Sequence, residues 1–399
     1  MKKFLSRRLI RLFIFFPVVV AALCVLGASA SAVSNSVLPS QSPVTDRPSD
    51  LDKARAAEAL HLRGELGDAL WTGWGAADIP MIFYNEDYAF LVGFPDPPAG
   101  WLKIPEWESR GGPWEKVPGD SFEGEEYFRQ ALAGPGETPE AFIVRIGDRW
   151  VSNILTADWM EIHLGNEFRG MVPPPFQEVI PYRMAARLFL SVTGGKDLYI
   201  CLVLHESFHA YQALLAQDRL FAAETVYNRN GIRYPYDNSM FAADWQMELD
   251  LLANAVQSES DVETVELARQ FLDQRQKRRK AASMDAALID LERLKEWEEG
   301  LAKYTELAIW RLAVEDSHYT PLASMTGDPG FSSYTNFEQI WLQQIQQIRS
   351  MAKDDGDTRF YYSGLAQAVI LDRLAPGWRT RILTEDVAME ELVQEAVKR

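Results

Sequence analysis

The stretch 197-DLYICLVLHESFHAYQALLAQ-217 combines a helical pattern with two closely spaced histidines. Its apolar residues recur every three or four positions, and the two glycines at 194 and 195 are typical of a helix start. On a helix, His205 and His209 are neighbours on one face because they are four residues apart. Two imidazoles on one face are good zinc ligands. Glu206 projects from the adjoining edge, where it can reach a water beside the metal. We therefore predict a Zn²⁺ site with His205 and His209 as ligands and Glu206 as a catalytic residue.

A zinc site of this kind needs a third protein ligand. The metzincin pattern requires Gly at 212 and His at 215, but the chain has Gln212 and Leu215, which excludes that class. The segment 297-WEEGLAKYTE-306 resembles the E-G-x-A-x-Y segment of the gluzincin superfamily of HExxH zinc metallopeptidases. In that superfamily the Glu before the Gly is the third metal ligand, so the resemblance implies Glu299. The small residues Gly300 and Ala302 would let this helix approach the HESFH helix closely.

Other acidic residues remain alternatives for the third ligand. Glu248 lies on another amphipathic segment only 43 residues after His205, whereas Glu299 follows after 94 residues. Glu298 and Glu306 lie beside Glu299, and Glu306 shares its helix face, which suits an outer-shell partner of the ligands. Cys201 precedes His205 by four residues, but a buried free cysteine that packs as a small hydrophobic residue is the favoured interpretation.

The resemblance also implies a reaction. A metal-bound water, with Glu206 as general base, would hydrolyse peptide bonds. A further donor is needed for the oxyanion, and Tyr362 is our choice. Tyr361 and the pair His318-Tyr319 are alternatives, and ordinary aromatic packing is an alternative for each. The expected partner is therefore a peptide or protein substrate.

The N-terminus has the pattern of an export signal. Five basic residues between Lys2 and Arg11 precede fifteen uncharged residues, 12–26, and A-x-A motifs follow at 28–32. Fifteen helical residues span about 22 Å, which is short for a bilayer core of about 30 Å. We predict a cleaved signal peptide over 1–32, a periplasmic or secreted location, and no stable membrane anchor after cleavage. An uncleaved membrane anchor stays open as an alternative.

Charge and cysteine content limit the partners and the means of stabilisation. Without residues 1–32 the chain has 40 − 5 = 35 basic and 57 acidic groups, a net charge of −22. Such a surface repels phosphate backbones, so no nucleic-acid partner is expected. After cleavage Cys201 is the only cysteine, so no internal disulfide can form and the core must stabilise the fold.

The chain changes character along its length. A Ser- and Pro-rich linker is predicted over 33–49, and helical spacing over 50–70 begins a β-rich, mostly antiparallel region that ends at 180. Strand–turn–strand patterns occur at 79–92 and 141–152. From 181 to 399 the pattern is mainly helical, with helices predicted at 197–217, 238–257, 261–279, 285–314, 337–351 and 365–374. The predicted fold class is α+β, with a β-rich N-terminal region followed by a helical, zincin-like catalytic region.

Two other classes of function stay open. In the first, the protein is a non-catalytic envelope protein in which the zinc only holds helices together. In the second, the β-rich region is a polymer-binding module whose recognition surface contains five tryptophans within 44 residues: Trp71, Trp74, Trp101, Trp107 and Trp114. The same tryptophans are equally suited to a hydrophobic core.

Overall fold

The fold is α+β, as the sequence predicts. The computed structural model describes residues 29, 31–104, 108–132, 144–174, 176–354 and 356–398. Within them, a curled mixed sheet of eight strands occupies the N-terminal half and most of the remainder is helical. Most of the predicted signal peptide, Trp107 and the segment 141–143 of one predicted strand lie outside the described residues.

The helices have the following bounds. In chain order they are α1 Asp50–Leu70, α2 Ala157–Gly170, α3 Tyr182–Val192, α4 Gly195–Asn230, α5 Ser239–Gln257, α6 Asp261–Ala281, α7 Ala286–Lys295, α8 Leu301–Glu315, α9 Phe337–Ser350, α10 Thr358–Leu374, α11 Trp378–Thr384 and α12 Met389–Ala396. A π-helical turn, Glu296–Gly300, joins α7 to α8.

The strands form one sheet in the order β4-β3-β7-β8-β1-β2-β6-β5. Their bounds are β1 Met81–Tyr84, β2 Tyr88–Val92, β3 Trp101–Lys103, β4 Glu108–Arg110, β5 Glu115–Lys116, β6 Phe128–Ala131, β7 Val144–Ile146 and β8 Arg149–Leu155. All pairs are antiparallel except β1 with β8, which run parallel. The predicted turns at 85–87 and 147–149 join β1 to β2 and β7 to β8.

Both faces of the sheet are covered. Successive strand residues point to opposite faces, so Phe83 joins the large core with the helices, whereas Ile82 and Tyr84 join a smaller core on the other face. Helix α4, which contains HESFH, packs against β8. The large core includes Phe83 as well as Leu204 and thus contains residues from both predicted regions. The 180/181 boundary falls between α2 and α3, which pack against each other, and as a domain boundary it stays a prediction.

The predicted helices correspond closely to the observed ones. The predicted end at 217 coincides with a kink in α4, where Ala216 has φ −144° and ψ 51°. The predicted continuous helix 285–314 is instead interrupted by the π-helical turn. All five residues of this turn are buried. A π turn adds one residue to a helical turn and so changes which side chains share a face. Apolar spacing alone does not reveal it.

The segment 33–49, predicted as a linker, packs on the fold where it is described. Asn35 donates from Nδ2 to the carbonyl oxygen of Ile180 at 2.8 Å. Ser42 donates its hydroxyl to Glu86 at 2.6 Å, and both Asn35 and Ser42 are buried. These hydrogen bonds, to residues far away in the sequence, hold the segment against the fold. Its Ser- and Pro-rich composition did not indicate this.

Gly300 contacts a different helix from the one predicted. A Cβ atom at Gly300 would lie 2.5 Å from Cα of Gly364 on α10, and one at Gly364 would lie 2.7 Å from the carbonyl oxygen of Glu296. The expectation that Gly300 makes room for the HESFH helix was therefore wrong. Because neither glycine has a side chain, the backbones of α10 and of the π turn instead contact each other directly.

Adding one methyl group at this crossing is expected to destabilise the protein. Gly300 has ordinary helical φ and ψ of −65° and −38°, so Gly300→Ala has no backbone penalty and any loss must come from overpacking. We expect a loss of about 1–3 kcal/mol in the free energy of unfolding, measured by urea titration. Gly64→Ala, at an exposed position of α1 where the added Cβ meets no atom of another described element within 4 Å, is the control and should gain about 0.5–1 kcal/mol. If the free energy of unfolding changed equally in Gly300→Ala and Gly64→Ala, the close contact between Gly300 and Gly364 would be contradicted.

Candidate metal centre

His205, His209 and Glu299 converge in the interior. One ligand atom from each lies within 4.8 Å of the other two. Oε2 of Glu299 is 3.5 Å from Nε2 of His205 and 3.3 Å from Nε2 of His209. The two imidazole rings are nearly perpendicular, at 78°, with centroids 4.8 Å apart. Residues 94 positions apart in sequence are thus brought together by the packing of α4 against α8 and the π turn.

This spacing fits a tetrahedral zinc site. With metal–ligand distances of about 2.1 Å, neighbouring tetrahedral ligand atoms are about 3.4 Å apart, close to the separations observed. Oε2 of Glu299 is buried and accepts no hydrogen bond. An unpartnered buried carboxylate oxygen is unfavourable without a compensating charge. The donor set and its geometry therefore suit a resident Zn²⁺ ion.

His209 has a hydrogen-bond partner outside the cluster, and His205 has a carboxylate neighbour just beyond hydrogen-bond range. Nδ1 of His209 is 2.9 Å from Oε1 of Gln212, whose Nε2 in turn donates to the carbonyl oxygen of Trp297. The amide oxygen of Gln212 therefore accepts a hydrogen bond from Nδ1 of His209. The lone pair on Nε2 of His209 is then left facing Glu299. Nδ1 of His205 lies 3.6 Å from Oε2 of Glu306, as the shared face of Glu299 and Glu306 predicts. Such partners fix the ring orientation of metal-bound histidines.

Charges around the cluster are strongly coupled. Burial alone would lower the pKa of His205, but the carboxylates of Glu299 and Glu306 raise it to about 10. Burial alone would raise the pKa of Glu299, but Lys295 and the two histidines hold it well below its usual range. Nζ of Lys295 lies 3.4 Å from Oε1 of Glu299 and 2.7 Å from Oε2 of Glu298. The cluster therefore keeps Glu299 ionised, as a metal ligand requires.

Glu206 lies beside the cluster without belonging to it. It is partly exposed, whereas His205, His209 and Glu299 are each 5% exposed or less. Burial raises the pKa of Glu206 to about 7, although the nearby histidines act in the opposite direction. A carboxyl group with a pKa near neutrality can both accept and release a proton.

Of the two neighbouring tyrosines, Tyr361 faces the cluster. Its ring stacks on His205 at a centroid distance of 5.8 Å and an angle of 13°. Burial and the charge of Glu299 raise its pKa well above the usual value. The ring of Tyr362, our choice from the sequence, lies instead 5.8 Å from Nζ of Lys303, which pairs with Glu306. Successive helix residues point about 100° apart, so only one of the two can face His205.

The other residues named as candidates have partners elsewhere. Glu248 is fully buried and forms ion pairs with Arg275 and Arg278, and it is not part of the metal cluster. The hydroxyl of Tyr319 donates to Glu58 at 2.6 Å, and His318 is exposed. Cys201 is buried, and its burial raises the pKa of the thiol well above the usual value, which favours packing over metal binding.

Four of the five tryptophans are core residues. Trp71, Trp74, Trp101 and Trp114 are each 9% exposed or less, and the fifth lies outside the described residues. Trp71 and Trp74 pack on Phe208 of the motif, with ring centroids 4.9 and 5.9 Å away. The described tryptophans therefore do not form an exposed recognition surface. Two of them hold the HESFH helix in position.

Residues that the sequence did not single out complete the site. Lys295 pairs with Glu299, and its position four residues before that glutamate was the available signal. Arg63 on α1 donates to Oγ of Ser207 within the motif at 2.9 Å. No local pattern indicates this contact, because the two residues are 144 positions apart.

Comparisons with known proteins gave no match. Neither the scan of family models nor the searches of curated proteins and solved structures gave a match. The gluzincin resemblance consequently depends on the two short segments at 205–209 and 297–306 and on the geometry that joins them.

Proposed function

We propose that this protein is an exported, zinc-dependent metallopeptidase of the gluzincin type. The observation that carries the proposal is the convergence of His205, His209 and Glu299, with ligand atoms spaced for one tetrahedral ion. Glu206, a partly exposed residue beside these ligands, adds the acid–base group that peptide hydrolysis needs.

Each residue then has a distinct part in hydrolysis. When bound, a zinc ion in such a site polarises a substrate carbonyl group and acidifies water. Glu206 accepts a proton from the attacking water and delivers it to the leaving nitrogen. Gln212 holds the ring of His209 in orientation by a hydrogen bond at Nδ1, and the nearby carboxylate of Glu306 would do the same for His205 once its 3.6 Å separation from Nδ1 shortens. Tyr361, stacked on His205, would donate to the developing oxyanion, and Tyr362 is the second choice.

A purely structural metal is the second candidate. The near-complete burial of all three ligands favours it, because a structural ion needs no access for substrate. The two candidates predict different results for Glu206. If the metal is purely structural, replacing Glu206 should change no function of the protein.

Replacing Glu206 with glutamine is expected to remove activity and leave the metal in place. Glutamine keeps the size of the side chain but cannot accept the proton, so cleavage of a mixed-peptide library should fall by about 10²–10⁴-fold. Zinc content, measured by mass spectrometry of the purified protein, should stay near one ion per chain. A wild-type protein that binds no zinc would refute the proposal. Zinc binding without any peptide cleavage would favour the structural candidate.

A further inference from the structure

Helix α3 presents an apolar stripe to solvent. Met184, Leu188, Phe189 and Val192 are 37%, 56%, 48% and 58% exposed, and their spacing places them on one side of the helix. Three large apolar residues in the segment before α3 are also exposed: Met171, Phe176 and Val179. We call the four helical residues the apolar face. An exposed apolar patch of this kind marks an interaction surface.

The opposite side of α3 is already occupied. Tyr182 and Ala186 are buried, and Ala186 packs where α2 has Gly165. At the edge of the apolar face, the half-exposed ring of Phe189 also contacts Phe168 of α2 edge to face at 5.9 Å. Helix α3 packs mainly on α2 and much less on α4. The two helices α2 and α3 thus form a hairpin at the periphery, and the apolar face is its outer surface.

The N-terminal part of the chain lies next to this hairpin. Arg183, in the first turn of α3, donates to the carbonyl oxygens of Asn35 and Leu38, the latter at 2.7 Å. The side chain of Asn35 in turn donates to Ile180. Val33 and Val37 on the same short segment are 61% and 76% exposed. The start of α3 and the residues just after the uncharged stretch 12–26 are therefore fixed together.

The nearby N-terminal segment indicates what covers the apolar face. Leu26 is nine residues from Asn35, which contacts the hairpin, a span of at most about 32 Å even when fully extended. If residues 12–26 are in a bilayer, as in an exported chain before cleavage, the hairpin is held at its surface. Among the described residues no single helix is long and apolar enough to cross a membrane, and Tyr182–Val192 with Gly195–Arg233 meets that test only as a pair bent by 77°.

We propose that the apolar face of α3 lies in the interface of a lipid bilayer, beside the point where the N-terminal segment leaves the fold. An eleven-residue helix with one apolar side is suited to lie in the plane of a membrane rather than to cross it. The charge of −22 after residue 32 opposes anionic lipids, so the contact depends on apolar burial and suits a zwitterionic surface. The inference does not depend on the proposed peptidase activity.

Fluorescent labelling of the full-length chain tests the contact. In a Cys24→Ser background, Leu188→Cys and Val192→Cys each add one accessible thiol, because Cys201 is buried. Val262→Cys on α6, at a position 81% exposed, is the matched control. With phosphatidylcholine vesicles, a polarity-sensitive label at 188 and 192 should shift to shorter wavelength. A nitroxide-labelled lipid should quench it several-fold more than the label at 262.

Two results would overturn the proposal. In the first, labels at 188 and 192 respond to vesicles no more than the label at 262. In the second, the shift at 188 occurs without lipid and grows with protein concentration, which would mean that a second copy of the chain covers the apolar face. Circular dichroism of each labelled variant confirms that the fold is retained, so a negative result is informative.

Discussion

Glu299→Gln is expected to abolish zinc binding and, with it, all peptide cleavage. Glutamine preserves the size of the side chain but removes the charge of a carboxylate whose Oε2 lies 3.3–3.5 Å from both imidazoles and has no hydrogen-bond partner within the described part of the chain. Loss of an outer-shell partner weakens metal sites by 10–100-fold, so loss of a direct ligand should lower the affinity by at least about 100-fold. Competition with a fluorescent zinc chelator measures this affinity directly.

Glu298→Gln is the matched control for this variant. Glu298 is the adjacent residue, is equally buried and contacts the same Lys295, but its carboxylate is outside the metal cluster. It should retain zinc with little change in affinity. Glu306→Gln should give an intermediate loss, because Glu306 contacts His205 only through Nδ1. Equal zinc affinity in the Glu299 and Glu298 variants would eliminate Glu299 as the third ligand.

Arg278→Met is expected to destabilise the fold more than any substitution at the metal centre. A network with a buried centre and a partly exposed edge at Arg279 and Arg293 pairs four arginines with four glutamates: Arg275, Arg278, Arg279, Arg293, Glu248, Glu292, Glu296 and Glu390. Arg278 is fully buried and pairs with both Glu248 and Glu292. Removing its charge leaves one negative charge in excess, at a cost of about 3–5 kcal/mol in the free energy of unfolding.

A second substitution separates charge imbalance from lost packing. Arg278→Met with Glu248→Met restores the balance of buried charges, so the double variant should unfold at higher urea concentration than Arg278→Met alone. Arg311→Met removes an exposed arginine whose nearest carboxylate is 3.9 Å away, and should change stability by less than about 0.5 kcal/mol. If the double variant is no more stable than Arg278→Met, the stability lost in Arg278→Met comes from the lost packing of the guanidinium group and not from the charge imbalance.

The same network explains why one sequence prediction was ambiguous. From the sequence, Glu248 and Glu299 are both glutamates on helices that follow the motif. What distinguishes them is their neighbours: Glu248 faces Arg275 and Arg278, 27 and 30 residues further on, whereas Oε2 of Glu299 faces His205 and His209. Burial alone would raise the pKa of Glu292, but Arg278 and Arg279 hold it well below the usual value. Such long-range pairing has no local signature.

Local patterns did predict the helices and the strand pairs with turns. Period-two and period-3.6 spacing depend only on nearby residues, and α1 was predicted with both its bounds, Asp50 and Leu70. The π turn at Glu296–Gly300, the crossing of Gly300 with Gly364 and the choice of Tyr361 over Tyr362 depend on how helices meet. These features decide the orientation of the site. They depend on tertiary contacts, which local sequence patterns do not reveal.

The buried arginine–glutamate network also determines when the site can exist during synthesis. Arg275 pairs both with Glu296, in the turn that carries Glu299, and with Glu390 on α12. A growing chain that has reached residue 299 already contains all three predicted ligands, but Arg275 and Arg279 still lack their partner on α12. The turn that carries Glu299 would therefore reach its final set of ion pairs only after α12 has been synthesised, so metal binding would follow the docking of α12 rather than the synthesis of the ligands themselves.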